Sequence, residues 1–373
     1  MSKRLLVMAG GTGGHVFPGL AVANMLREQG WEIHWLGCAT RMEADLVPKH
    51  NIDISYIDVE GVRGNGIVRL LKAPFKLMRS VWQAKHVIKQ FKPDVILGMG
   101  GFASGPGGIA AKIAGIPLVL HEQNAVAGMT NRYLAKMATK VMVAFDGALQ
   151  EHKPQVVGNP VRQDIVNLGR LTPQQSHMQS NESLKILLIG GSLGARALNE
   201  MLPQTIPLLG DVNLVMKHQA GKNNSEGVIN AYKEAVDDCE NYIQVTDFID
   251  DMAAAYQWAD MIICRAGALT VSEVAAVGLP AIFVPLPYAV DDHQTKNAQA
   301  LSDQGAAVVI QQSSMTPQSL SEQIKAMSID GQLERMHHAS DSLAIVDATE
   351  QVASAIAHLA HTDFVAPKKT EVV

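Results

Sequence analysis

Cysteine is scarce. There are three in 373 residues, Cys38, Cys239 and Cys264, and none lies in C-x-x-C spacing. That excludes a disulfide framework and a cysteine zinc site, and it suits a reducing cytoplasm. Charge is scarce too: charged residues make up 18% of the chain and the net charge is −5. No basic field for a nucleic acid follows from that balance. Membrane-length apolar runs are also missing. The N-terminal MSKRLLVMAGG breaks at Gly10-Gly11, so it makes no signal-peptide core. The uncharged stretch 95–111 nearly reaches spanning length, but its Gly and Pro density reads as strand, Gly-rich loop and helix start. A soluble chain without a transmembrane anchor is expected.

Two nucleotide fingerprints are absent as well. G-x-G-x-x-G would need glycine where Val16 stands, and the second strand ends WLGCAT with no acidic residue for a ribose. No G-x-x-x-x-G-K-[ST] occurs, which excludes the common hydrolysing NTPases.

What is present is a core-rich globular composition, 47% hydrophobic. The length suggests two domains, at about 150 residues each. Strand-like runs at 4–11, 31–37, 53–59, 94–100, 117–123 and 140–145 alternate with helical patterns such as 21–30. The pattern restarts at KILLIGGSLGARALNEML (185–202), with further strands at 213–219, 242–248, 261–267, 280–286 and 306–310. Such alternation predicts an α/β protein with two doubly wound parallel sheets, meeting near residue 165. The polar stretch 167–183 reads as a linker, and 348–360 as a final helix. In such sheets ligands bind beyond the carboxyl ends of the strands, so a cleft between the domains is expected.

Three glycine-rich turns follow strands: GGTGGH (10–15), GMGGFASGPGG (98–108) and GGSLGA (190–195). Each alone is compatible with a tight strand–helix turn. Three together, two in equivalent places, point to a diphosphate held on backbone amides and helix N-termini. RAGALTVSEVAAVGLP (265–280) adds Ser272 and Glu273 at a helix start. A carboxylate there could take both hydroxyls of a ribose, or merely favour its own helix dipole.

At this point the residues carry a resemblance. GGTGGHVFPGLAVA, RMEADLVPKH, GMGGFASGPGG, HEQNAVAGMTNR, VGNPVR, GGSLGAR, FIDDMAAAY and RAGALTVSEVAAVGLPAIFVP, in this order from about residue 4 to 350, resemble the MurG family of bacterial glycosyltransferases. The resemblance implies transfer of GlcNAc from UDP-GlcNAc to the C4 hydroxyl of MurNAc in lipid I, giving lipid II for peptidoglycan. It implies the GT-B fold of two Rossmann-like domains: 1–164 for acceptor and membrane, 165–345 for UDP-GlcNAc, and 346–373 a helix returning to the first domain, with a tail. It assigns Thr12, Gly13 and Gly14 to the donor's phosphates and sugar, and Asn124 to the donor sugar. Arg162 and Ser192 match diphosphate contacts. Ile249 matches a uracil contact through its backbone. Ala268, Leu269, Thr270, Val271, Ser272 and Glu273 match the segment closing over the nucleotide, with Glu273 on the ribose. Gln294 matches a contact to the sugar hydroxyls. PLPYAVDDHQTKNA (285–298) is one residue longer than in some relatives, which leaves Gln294 and His293 competing for that role.

An α-linked donor giving a β-linked product needs a base on one face and charge stabilisation on the leaving side. His15, at a helix start, is the candidate base, because the positive helix end disfavours imidazolium. The other reading has it only hydrogen-bonding the donor sugar or orienting the loop. Glu122 is the second candidate base. Asp-x-Asp, the common metal clamp of nucleotide-sugar transferases, is absent, and Asp250-Asp251 and Asp291-Asp292 lack its spacing. A metal-independent step with no cofactor is expected.

Between Glu60 and Asp94 no acidic residue occurs. Arg63, Arg69, Lys72, Lys76, Arg79, Lys85, Lys89 and Lys92 alternate with Leu70, Leu71, Phe75, Leu77, Met78, Val81 and Trp82. Residues 61–93 therefore read as a basic amphipathic surface for anionic lipid, or else as a solvated helix pair with a core face. Together with the lipid acceptor, the resemblance implies a peripheral protein on the cytoplasmic face of the plasma membrane, with membrane-bound peptidoglycan enzymes as candidate partners. Two rivals stay open: a UDP-GlcNAc 2-epimerase of the same fold, and a catalytically silent nucleotide-sugar scaffold.

Overall fold

The computed structural model describes residues 2–59, 67–169, 183–191, 194–329, 331–340 and 343–366, with 67–72 and 290 as backbone only. The chain forms two compact units. The first comprises Met1–Arg162 and Ile345–Val373, the second Gln163–Ala344. Residues 170–182, most of the stretch read as a linker, lie outside the described residues, and the division falls ahead of them.

In the first unit β1 (Arg4–Ala9), β2 (Glu32–Gly37), β3 (Asp53–Tyr56), β4 (Val95–Gly100), β5 (Leu118–Glu122), β6 (Lys140–Val143) and β7 (Gln155–Val156) form one parallel sheet, in the order β3-β2-β1-β4-β5-β6-β7. Its helices are α1 (Gly13–Glu28), α2 (Met42–Lys49), α3 (Ile67–Phe91), α4 (Ser104–Ala114) and α5 (Met129–Ala135). The central strand explains the layering. Leu5, Val7 and Ala9 face one core, with Val16, Leu20 and Ala23 of α1, while Leu6 and Met8 face the other, with Ala84, Val87 and Ile88 of α3 and Ala110 and Ala111 of α4. A strand covered on both faces has to be apolar throughout, as RLLVMA nearly is.

The helix expected at 21–30 starts earlier, at Gly13, directly after the Gly-rich turn. It is buried nearly all round, because the sheet covers one side and α14 (Ala348–Leu359) the other. Val352, Ala353, Ile356 and Ala357 of α14 join the same core, and small residues let the two helices approach.

The second unit carries β8 (Leu184–Ile189), β9 (Leu214–Gln219), β10 (Ile243–Thr246), β11 (Met261–Cys264), β12 (Ala281–Phe283) and β13 (Ala307–Val309), all parallel, in the order β10-β9-β8-β11-β12-β13. Around it run α6 (Gln163–Val166), α7 (Arg196–Thr205), α8 (Ser225–Ala235), α9 (Met252–Trp258), α10 (Ala268–Val277), α11 (His293–Ser302), α12 (Pro317–Met327) and α13 (Gln332–Ala339). Both sheets are doubly wound, as expected. In each, strand order reverses beside the central strand, between β1 and β4 and between β8 and β11. That reversal point is where this fold binds ligands.

Candidate active site

In the first unit the reversal point is built from two interlocked glycine turns. The β1–β4 register shifts after Met8, so that Ala9 pairs with Gly100. This irregularity turns Gly100 and Gly101 into left-handed backbone, with φ of 102° and 85°. A Cβ on Gly101 would overlap the Gly10 carbonyl, and one on Gly100 would lie 2.7 and 2.8 Å from Cδ2 and Nε2 of His15. The His15 ring therefore rests on bare backbone, which only glycine permits.

His15 is the third residue of α1, and its Nδ1 stands 3.4 Å from Thr12 Oγ1. Desolvation pulls its pKa from the usual 6.5 down to about 4. The imidazole is thus neutral at pH 7, and burial is the cause. The His121 imidazole on β5 is fully buried and also lowered to about 4, by burial first, with the neighbouring His15 adding to the effect. Its Nε2 faces the Gly158 carbonyl at 2.9 Å, and its Nδ1 meets Gln123 Nε2 at 3.0 Å.

The turn before α1 is held by a residue for which sequence reading found no role. Glu43, fully buried on α2, accepts the Gly11 N–H at 2.9 Å and the Cys38 N–H at 3.0 Å. One carboxylate clips the loop after β1 to the loop after β2. RMEADLVPKH belongs to the motifs that carry the family resemblance, and nothing local marks its glutamate as buried.

Glu122 ends β5 and is buried, with four donors on its carboxylate. Asn124 gives its backbone N–H at 2.9 Å and its side-chain amide at 3.2 Å, Gly128 its N–H at 3.1 Å and Asn131 its Nδ2 at 2.9 Å. Burial raises its pKa, while these bonds pull the other way. The carboxylate closes the loop 122–131 into a fixed turn. It also fixes Asn124 and, through Asn131, connects with Gly100, since a Gly100 Cβ would come within 3.3 Å of Asn131 Nδ2. The first unit thus gathers Thr12, Gly13, Gly14, His15, Glu122 and Asn124 at its strand ends. Arg162, half-buried, ends its first segment.

In the second unit Ser192 lies outside the described residues. Within this unit Asn199, His218 and Tyr232 form a buried chain: His218 Nε2 meets Asn199 Oδ1, and its Nδ1 meets the Tyr232 hydroxyl, each at 3.0 Å. After β11, Arg265 reaches the Val284 carbonyl at 3.0 Å and Gln312 Oε1 at 2.7 Å, which ties adjacent strand ends together. The segment 268–273 is helical. Gly267 is the cap of α10, so Ser272 and Glu273 are its fifth and sixth residues rather than its start. Helix-end electrostatics fade within the first turn, so they do not account for Glu273. The glutamate is nonetheless buried, and it accepts the hydroxyl of Tyr256 at 2.9 Å. Gln294, on α11, which packs on α10, takes the Leu286 N–H on its Oε1 at 2.9 Å. Next to it, Asp292 accepts the Thr295 hydroxyl at 2.7 Å. Ile249 is half-buried in the segment after β10.

On α3 the inner stripe is Ser80, Ala84, Val87 and Ile88. The outer stripe is Phe75, Met78 and Trp82, at 71%, 64% and 68% exposure, with Lys76, Arg79, Lys85 and Lys89 exposed around it. Residues 61–66 and the side chains of Arg69, Leu70, Leu71 and Lys72 lie outside the described residues. Among the described residues no helix is long and apolar enough to cross a membrane.

Comparison with known proteins agrees with this architecture. Residues 5–143 match the glycosyltransferase family 28 N-terminal domain, and residues 185–358 match the family 28 C-terminal domain. A relative from Shewanella oneidensis is 54% identical over 96% of this chain and 98% of its own, and is named UDP-N-acetylglucosamine–N-acetylmuramyl-(pentapeptide) pyrophosphoryl-undecaprenol N-acetylglucosamine transferase. The crystal structure of Acinetobacter baumannii MurG is similar with a TM-score of 0.82 and 45% identity, covering 95% of this chain and 99% of that one. A UDP-N-acetylglucosamine 2-epimerase structure reaches a TM-score of 0.66 at 14% identity, over 99% of this chain and 100% of that one, and shares the fold alone. The expectation of a GT-B architecture is met, and the chain belongs to the MurG family of glycosyltransferases, within glycosyltransferase family 28.

Proposed function

We propose that this protein transfers GlcNAc from UDP-GlcNAc to the C4 hydroxyl of MurNAc in undecaprenyl-pyrophosphoryl-MurNAc-pentapeptide, with inversion, forming lipid II. The observation that carries the reaction chemistry is His15, an uncharged imidazole at the reversal point of the first sheet. Neutral imidazole accepts the proton as the acceptor oxygen attacks the anomeric carbon and the bond to the diphosphate breaks. Glu122 serves as the anchor of loop 122–131, because its four hydrogen bonds commit its oxygens to that turn. Asn124, fixed by it, faces the donor sugar together with Thr12, Gly13 and Gly14. Residues 1–164 take the acceptor and the membrane, 165–345 hold the donor, and 346–373 complete the first domain.

The leaving UDP is held by Ser192 and the N-terminus of α7 in the second domain and by Arg162 at the end of the first, with Ile249 at the uracil, residues 268–273 over the nucleotide and Glu273 on the ribose. Gln294 is favoured over His293 for the sugar hydroxyls, since its amide oxygen is already fixed by Leu286. No metal is assigned a part. The test is transfer of labelled GlcNAc to a lipid I analogue in the presence of chelator. A β1→4-linked product at undiminished rate is expected. Product only after Mg²⁺ is restored would overturn the metal-free step, and UDP-GlcNAc binding without product would overturn the acceptor.

The acceptor is a lipid, so the outer stripe of α3 docks on the cytoplasmic leaflet. Each lysine near an anionic surface contributes on the order of 1 kcal/mol. Co-sedimentation with phosphatidylglycerol vesicles should fall on the order of tenfold in K76E/K85E, and W82A should weaken binding at any lipid charge. Binding indifferent to both changes would rule the surface out. On the same leaflet, other membrane-bound peptidoglycan enzymes are the natural partners.

A further inference from the structure

We propose that Tyr256 is a positioning residue for donor recognition: its hydroxyl holds the Glu273 carboxylate in the orientation that reads the ribose hydroxyls. The inference rests on the assignment of Glu273 to the ribose and adds a residue to it.

Glu273 is buried on the sixth position of α10, beyond the reach of the helix N-terminus. Burying a carboxylate is costly unless it is hydrogen-bonded, and an apolar residue would fill such a place more cheaply. A buried carboxylate kept in a ligand-binding region is a candidate for function. Its orientation then matters, because two hydroxyls on adjacent carbons are recognised only when the carboxylate plane is set toward them. A glutamate side chain has three rotatable bonds and does not hold that plane by itself.

Tyr256 supplies the restraint. Its ring is fully buried, and its hydroxyl donates to Glu273 Oε2 at 2.9 Å. The helix carrying it, α9, is short but pinned at both ends. Asp251 caps it by accepting the Ala254 N–H at 2.9 Å. At the other end the Trp258 ring lies under Lys217 Nζ, 4.4 Å from the ring centroid. A phenol held this way cannot follow the carboxylate, so the carboxylate follows the phenol.

The experiment compares UDP with 2′-deoxy-UDP by calorimetry on the full chain. The wild type should prefer UDP by tenfold or more. Y256F, which keeps the ring, should lose five- to tenfold affinity for UDP with little change for 2′-deoxy-UDP, and Y256F/E273Q should bind like E273Q. If Y256F weakens both ligands equally or neither, while E273Q abolishes the preference, the positioning role is refuted and the ribose assignment stands. If E273Q keeps the preference, the ribose assignment itself fails, and the role of Tyr256 with it. If Y256F does not fold, E273D provides the same comparison. It withdraws the carboxylate from a fixed phenol and should lose the preference for UDP while its affinity for 2′-deoxy-UDP holds. Retention of the preference there refutes the positioning role.

Discussion

Replacing His15 with alanine should lower kcat for GlcNAc transfer by a factor on the order of 10³, within the usual span for loss of a general base. UDP-GlcNAc affinity should change little, since the imidazole is asked to act on the acceptor hydroxyl. The alternative reading, a ring that only binds donor sugar or braces the loop, predicts a rise in KM with kcat preserved. The pH profile separates the two further. With its pKa at about 4, His15 keeps its basic form far below neutrality. Between pH 7 and 5.5 an ordinary histidine of pKa 6.5 would lose about 90% of its basic form, whereas kcat/KM here should stay nearly flat. A diphosphate brought close favours the imidazolium, so the acid limb of kcat should lie above that of kcat/KM. A limb of kcat/KM centred near 6.5 would show that His15 is not the base or is not desolvated in solution. Stability follows the same sign. His15 and His121 both refuse protons that the unfolded chain accepts. Their contribution is therefore intact above pH 6.5 and is lost as the pH falls from there towards 4.

Glu43→Ala is expected to be the most damaging change outside the reacting groups. It leaves the N–H groups of Gly11 and Cys38 without their acceptor, at about 1–3 kcal/mol each. For a unit of this size that lowers Tm by roughly 10 °C. The catalytic effect comes through position. Gly11 precedes the first turn of α1, and a displacement of about 1 Å at a reacting group can cost 100-fold in rate. Glu43→Gln keeps one acceptor oxygen and should recover much of the stability, with kcat still reduced and KM for the donor nearly unchanged. Thermal unfolding and steady-state kinetics on the two variants check this. An alanine variant with native Tm and native kcat would show that the loop after β1 needs no clip.

These two residues differ in how far sequence alone could reach them. His15 stood out because an imidazole after a Gly-rich turn is chemically odd. Glu43 did not, because its partners are backbone amides of two other loops, and no local pattern announces a side chain that folds back on main chain. Strand positions were legible from their apolar runs, but RLLVMAGG shortens to Arg4–Ala9 since its glycines leave the ladder. β7, two exposed residues long, carries no periodicity to read. The helical pattern legible over 21–30 extends back to Gly13, although Gly13 and Gly14 disfavour helix in isolation. Glu273 was legible as a residue and misplaced as a helix start, for the cap is Gly267, which has no side chain to announce it. Glu122 is legible as a carboxylate at a strand end, but its four donors on residues 124–131 are not.

The meeting of α1 with α14 has a consequence for how the chain is made. α1 ends at Glu28, and the helix that covers its outer face begins at Ala348. At about 5–20 residues per second a ribosome needs on the order of tens of seconds to bridge that interval. Throughout, the face of α1 that packs on α14 lacks its cover. Residues 163–344 meanwhile emerge as one uninterrupted unit with its own core. The half that is second in the gene is therefore the first able to close, and the half that carries His15 matures last. Activity should appear on a ribosome-bound chain only after α14 has cleared the exit tunnel.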